Sequence, residues 1–434
     1  MFGYYLDLAL RGLKRNRMLT ALMVLAIALG IGASMTTLTV LHVLSGDPLP
    51  GRSASIYYPQ LDPQDASKYV PNAEPPEQVT WIDGMNMLNA KRAARQALMT
   101  GGMVPLQPTQ SSIDPFQAVA LFTTKDFFPM FGVPFKYGNA WGTTEDDDKA
   151  HVVVISSALN DKLFGRKNSV GETLRLQGAD FRIIGVLGNW HPNPHFYEPY
   201  MGSYASDEDI YVPLSTSRAT HMEHAGSVDC WGNGNGGPDH LEESQCVWLQ
   251  FWVQLDGAAS VSDYKAFLEH YSEDQRALGR FTRAPNVRLR SMMQWLAFQK
   301  VVPSDAFLQA WLASGFFAVC LINTVGLMLA KFMRRANELG VRRALGASRR
   351  ALFAQLLIEA ATVGFAGGIL GLLLALLGLW CVRQQPAEYA PLAYMDTPML
   401  LATFALAIGA SLAAGLLPAW RACHVPPALQ LKAN

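Results

Sequence analysis

The sequence predicts a membrane protein with four transmembrane helices in a 1+3 arrangement and a large α+β extracytoplasmic domain inserted between helices 1 and 2. Two observations carry this. Charged residues make up 16% of the 434 residues, against about a quarter in soluble domains, and the deficit is local. Four windows hold no Asp, Glu, Lys or Arg: Met18–Gly46, Ala306–Ala330, Ala360–Val382 and Thr397–Trp420, of 29, 25, 23 and 24 residues. A helix crosses a bilayer with about 20 apolar residues, so each window can span. The zero net charge also conceals a split. Asp47–Lys300 carries 29 acids against 21 Lys and Arg, a balance of −8, while the remainder carries 6 against 14, a balance of +8. Cations beside spans mark the cytoplasmic side, so the acidic domain faces away from it.

The elements follow in order. Residues 1–17 read as an interfacial amphipathic helix: Leu6, Leu10 and Leu13 share a face, and Arg11, Lys14, Arg15 and Arg17 cluster toward its end. The first span, 18–46, is too long for a signal peptide, and no small-residue cleavage site follows promptly. Gly30, Gly32, Thr36, Thr37 and Thr39 suit it to close helix packing. The domain at 47–304 is far too long for a loop. Its pattern predicts a strand near Ser55–Tyr58, a helix over Gln78–Met99 ending at Thr100-Gly101-Gly102, and a strand His151–Ser156. A helix Ala158–Phe164 stopped by Gly165 follows, then a hairpin of Glu172–Gln177 with Phe181–Leu187. Loops are expected over Asn189–His240, then a strand Val247–Leu255, a helix Tyr264–Leu278 capped by Ser262, and a strand Val287–Leu289. Mixed α and β flank a β-rich part at about 120–245, as if one subdomain interrupts another. The second span, 305–333, runs into Lys331, Arg334 and Arg335. A segment at 334–359, a third span at 360–382 with Gly367, Gly368 and Gly371, an outer loop at 383–396, a fourth span at 397–420 and a tail at 421–434 complete the chain. Both termini are expected in the cytoplasm.

No G-x-x-x-x-G-K-[ST] occurs, and no G-x-G-x-x-G follows a strand. The glycine-rich Gly232–Gly237 lacks the setting of a phosphate loop. No G-x-S-x-G nucleophile motif is present. Pro192 and Pro194 keep His191 and His195 off a common helix face; His221 and His224 with His240 could build a metal site, but a polar surface is the simpler reading. The acidic run Glu145–Asp148 reads as a solvated loop. Catalytic, cofactor and metal residues are therefore expected to be absent. Cys320, Cys381 and Cys423 read as packing residues. Cys230 and Cys246 both lie in the polar domain, where a disulfide and two free thiols both remain open. The apolar windows carry almost nothing that would coordinate a solute; His42 and Asn323 are the main polar exceptions.

Between spans two and three lies Asn337–Glu359, N-E-L-G-V-R-R-A-L-G-A-S-R-R-A-L-F-A-Q-L-L-I-E. Leu339, Arg342 and Arg343 fall at helical spacing, as do Leu352, Gln355 and Leu356. With Arg334 and Arg335 ahead of it, this stretch resembles the cytoplasmic segment of the MacB/FtsX superfamily of ABC-transporter permeases, R-x-x-E-I-G-[IV]-R-[RK]-A-L-G-A followed by a helix ending L-x-E-[AS]. Leu339 stands where Ile is usual. Thr124–Phe128, His151–Gly165 and Gly171–Val186 resemble segments of the MacB-type periplasmic domain, whereas Asn189–Cys246 does not follow that pattern.

The resemblance implies a permease without a fused ATPase. It would work as a dimer with a second permease, the same chain or another, and with a separate ABC ATPase subunit that binds the ATP and Mg. Glu338, Gly340, Arg342, Arg343, Ala344, Gly346 and Ala347 would form the ATPase-coupling element. In MacB-like members the work is done on periplasmic substrates, passed to an adaptor and an outer-membrane duct. The chain is expected in the bacterial inner membrane, in contact with the lipid bilayer and with no nucleic acid among its partners. An FtsX-like transmitter that activates an extracytoplasmic enzyme, or a lipoprotein-releasing permease, remains the alternative.

Overall fold

A computed structural model describes residues 16–68, 70–108, 113–198, 202–204, 207–231 and 240–424. The predicted amphipathic helix up to Arg17 and the loop Gly232–Gly237 therefore lie almost wholly outside the described residues. The chain divides into two compact units, one made of the chain up to Ser45 together with Val302 onward, the other of Gly46–Val301.

The first unit contains four helices long and apolar enough to cross a membrane: α1 (Arg17–Leu44), α9 (Ser304–Met333), α11 (Arg349–Arg383) and α12 (Thr397–His424). A short helix α10 (Ala336–Ala344) precedes α11. The spans pack through glycines. A Cβ at Gly367 would stand 2.7 Å from Ile27, one at Gly371 3.0 Å from Ile31, and one at Gly378 2.5 Å from Thr36. Another α11 face meets α12, where a Cβ on Gly364 would stand 1.9 Å from Ser411 Oγ. With no hydrophobic effect to drive association in lipid, such backbone approach is what holds the bundle together. Valine at Gly367 or Gly371 should therefore cost about 1–3 kcal/mol by overpacking. Gly315→Ala, with nothing within 4 Å of its added carbon, should be neutral or stabilise by up to about 1 kcal/mol through helix propensity. Melting of the detergent-solubilised chain would separate them, and equal effects at the three sites would refute the seam.

The second unit is built on one sheet. Its strands are β1 (Ile56–Gln60), β2 (Val79–Thr80), β3 (Arg95–Gln107), β4 (Phe116–Thr123), β5 (Phe135–Gly138), β6 (Val152–Ile155), β7 (Thr173–Leu176), β8 (Ala179–Leu187), β9 (Ile210–Pro213), β10 (His224–Ala225), β11 (Asp229–Cys230), β12 (Cys246–Gln254) and β13 (Arg288–Ser291). The main path runs β13-β1-β12-β3-β4-β9-β6-β8-β5. The two parts expected from the element order thus share one sheet, joined where β3 pairs with β12 on one side and β4 on the other. Helices α2 (Trp81–Ala90), α5 (Ser157–Phe164) and α7 (Gly257–Ala277) contribute Met87, Leu159, Leu163, Tyr264 and Leu268 to one core. Helices α3 (Phe127–Phe131) and α8 (Met292–Phe298) contribute Phe127, Phe128, Phe131 and Trp295 to another.

Several local signals act as read. Gly165 ends α5 at φ +60°, while Ser156, expected as the last residue of the preceding strand, instead caps α5 by accepting from Leu159 N at 3.1 Å. The β7–β8 hairpin turns through Gln177 and Gly178, both at positive φ, the geometry that suits strand twist.

Others are corrected. The helix predicted over Gln78–Met99 stops at Ala90, because Lys91 turns left-handed at φ +50°, and the chain continues as the 13-residue strand β3. Over Gln96–Gly102 both faces of that strand are buried, which erases there the alternation by which a strand is recognised. Gly102 sits within β3, where a Cβ would stand 2.4 Å from Phe122. Helix α7 begins at Gly257, so Ser262 lies inside it and is not its cap. The acidic run is no free loop: α4 (Thr143–Asp147) forms there, Asp146 Oδ2 accepts from Lys125 N at 3.0 Å, and burial pushes its carboxyl up to about 6. The expected loops over 189–240 contain β9, β10, β11 and α6 (Leu214–Ala219).

Cys230 and Cys246 are disulfide-bonded and face each other across β11 and β12. Closing 16 residues of chain should stabilise the domain by about 3 kcal/mol. Reduction should lower its unfolding midpoint accordingly, and an unchanged midpoint would remove the crosslink from the stability account.

Candidate functional site

The stretch between the second and third spans folds as helix, turn, helix. Helix α10 ends in a Schellman motif: Gly346 N donates to Arg343 O at 3.1 Å and Ala347 N to Arg342 O at 3.0 Å. Gly346 supplies the left-handed conformation at φ +98°. Ser348 then caps α11, accepting from Ala351 N at 3.2 Å. Leu345-Gly346-Ala347-Ser348 is therefore a complete stop-and-restart signal, in which the Ser348 cap is a role sequence reading passed over. Gly340 is buried within α10.

The two helical triplets of the sequence meet. Leu339 is buried with Leu352 and Leu356. Arg342 donates to Gln355 Oε1 at 3.2 Å and to Glu338 Oε1 at 3.0 Å. Arg343 donates to the carbonyl of Cys423 at 3.2 Å, at the C-terminal end of α12, where carbonyls carry partial negative charge. Arg342 and Arg343 are thus engaged within the chain. The outward surface is different: Val341, Ala344, Leu345, Ser348, Arg349 and Arg350 are exposed, Leu345 at 83%. An apolar tip beside two outward cations suits a protein partner with an apolar pocket and acidic rim.

Behind this surface lies a group that the charge-free windows did not include. Glu359, on α11, is 2% exposed. Its Oε1 lies 2.7 Å from Lys331 Nζ, and Arg335 reaches its two oxygens at 3.2 and 3.0 Å. Lys331 is itself buried and donates to Thr20 Oγ1 on α1 at 3.4 Å. The sequence signal was present: a cation and an acid flank facing ends of two consecutive apolar windows.

In the second unit, the buried His195 Nε2 lies 3.1 Å from Glu208 Oε1, while Tyr197 and Tyr211 donate to Glu208 Oε2 at 2.6 and 3.2 Å. Burial opposes both charges, but the facing charge and these hydrogen bonds prevail, so His195 is raised and Glu208 lowered from their ordinary values. His191 contacts Asp207, and His224 lies in β10, where burial lowers its pKa. Among the described residues no three His, Cys, Asp or Glu side chains are grouped to hold a metal.

Residues 20–271, more than half of the chain, match the MacB-like periplasmic core domain, and residues 311–427 match the FtsX-like permease C-terminal domain. The chain belongs to the MacB/FtsX-like family of ABC-transporter permeases. It is a membrane protein with a MacB-like domain of periplasmic type between its first helix and the other three. Similar proteins include the macrolide export ATP-binding/permease protein MacB of Wolinella succinogenes, 26% identical over 297 residues, covering 66% of this chain and 40% of that one. The pyoverdine export ATP-binding/permease protein PvdT of Pseudomonas aeruginosa is 23% identical over 426 residues, covering 96% of this chain and 56% of that one. The chain therefore spans about half the length of these relatives or less. Among solved structures, the periplasmic region of MacB from Actinobacillus actinomycetemcomitans is similar at 15% identity and a TM-score of 0.37, covering 59% of this chain and 96% of that one.

Proposed function

We propose that this chain is the permease of an inner-membrane ABC system of the mechanotransmission type. An ABC ATPase, holding ATP and Mg, docks on α10 and the Leu345–Ser348 turn, with both termini on the same cytoplasmic side. Closure of the ATPase moves the spans of a permease dimer, and these move the external domains, which drive a periplasmic substrate into an adaptor and an outer-membrane duct. The observation that carries the reading is the exposed Leu345 tip, set on a capped helix–turn–helix between two spans and flanked by outward Arg349 and Arg350. Apolar span windows without Asp, Glu, Lys or Arg support movement over conduction of a solute. The test is capture of the tagged permease in mild detergent. An ATPase and a second permease copy or chain should co-purify, and loss of either partner gene should abolish export. A wild-type permease that captures no ATPase would overturn the reading.

A further inference from the structure

Resting on that docking reading, we infer that Glu359 is a positioning residue whose carboxylate ties the base of the docking hairpin to the first span. The geometry is specific to this task. Lys331 lies in the last turn of α9, whose C-cap is Arg334, and Arg335 is the residue from which α10 starts. Glu359 lies 11 residues along α11 from the Ser348 cap. Its salt bridges at 2.7 and 3.0 Å therefore close the α9–α10–α11 hairpin at its base. The same ammonium reaches Thr20 in the opening turn of α1, drawing in a fourth helix.

A load applied at the Leu345 tip has two routes. It can bend α10 against the spans, or it can displace them together. Packing by Gly367, Gly371 and Gly378 joins α11 to α1 further along both helices, and nearer the tip Met23 of α1 shares an apolar cluster with Leu352, Leu356 and Ala360 of α11. At the end nearest the tip, one carboxylate accepts from two cations, Lys331 being 1% and Glu359 3% exposed as side chains. Ionic hydrogen bonds this buried are the stiff contacts available there. Mere stability would be served as well by apolar residues of similar volume. A carboxylate on α11 that engages Lys331 of α9 and Arg335 at the start of α10, with Lys331 also bonded to α1, adds a fixed geometry among four helices.

The test uses the full chain with its co-purified ATPase in nanodiscs, comparing hydrogen exchange in the nucleotide-free and ATP-plus-vanadate states. Wild type should respond at 336–348 and at 17–24. Glu359→Gln, and the neutral pair Lys331→Met with Glu359→Met, should keep the response at 336–348 and lose at least fivefold of that at 17–24. Lys331→Arg, which keeps a cation against Glu359, should retain it. A first-span response that survives in the neutral pair overturns the inference, as does a loss in Lys331→Arg as large as that in the neutral pair. Absence of any response at 336–348 in wild type would instead fail the docking reading.

Discussion

Glu208→Ala should destabilise the external domain by about 3–5 kcal/mol, the range for removing one partner of a buried pair. Three groups lose their acceptor together: His195 Nε2, Tyr197 OH and Tyr211 OH, all buried. Phe127, packed edge-on against Tyr197 and obliquely against Tyr211, offers no acceptor in its place. Glu208→Gln, which keeps an acceptor oxygen, should cost less. The pair also fixes a pH window. His195 is raised above its ordinary 6.5, so its contribution is complete below that value and disappears as pH rises through its folded pKa. Glu208 is lowered from 4.5, so its contribution is complete above that value and disappears as pH falls through its folded pKa. Between 4.5 and 6.5 the pair contributes fully. Thermal unfolding of the full chain across pH should show the wild-type excess over Glu208→Ala shrink on both sides of that interval. A pH-independent difference would mean that the pair is not ionic.

This cluster shows why some of the molecule was legible in its sequence and some was not. Spans are written as charge-free windows because lipid penalises every ionised group. Helix stops and tight turns are written in single residues, as with Gly165 and Gly178. The buried quartet joins residues 195, 197, 208 and 211 in a stretch of Pro, Gly, Asp and Glu that reads as loop. Its polar residues look solvated until tertiary packing supplies partners. β3 failed oppositely: burial on both faces over Gln96–Gly102 removed the period of its first half, and the apolar and Ala residues before Gly101 then fitted a helix as well as a strand. At the docking segment, spacing placed the arginines on a helix, but only packing determined which of them point back into the bundle.

That distinction yields the second large effect. Leu345→Glu combined with Arg349→Glu should weaken ATPase capture by roughly 30-fold or more, the scale of about 2 kcal/mol at an interface hot spot. Both positions are exposed, and neither holds the turn together. The turn depends on backbone bonds at Gly346 and Ala347 and on the Ser348 cap, all of which survive the change. Permease yield and melting should therefore stay near wild type while the ATPase is lost. Reversal at Arg342 and Arg343 should act differently. A glutamate at 342 faces Glu338 one turn away and forfeits the bond to Gln355, and one at 343 faces the Cys423 carbonyl. Like charges at that spacing and an anion at a helix C-terminus each cost a few tenths to about 1 kcal/mol. This pair should lower permease stability first and ATPase capture only as the turn distorts. Capture measured against melting temperature separates the two: the tip variant falls off any common line, and the arginine pair stays on it. If instead the arginine pair abolishes capture at unchanged stability, Arg342 and Arg343 leave the bundle to bind the partner. Docking would then begin with their release from Gln355 and the end of α12.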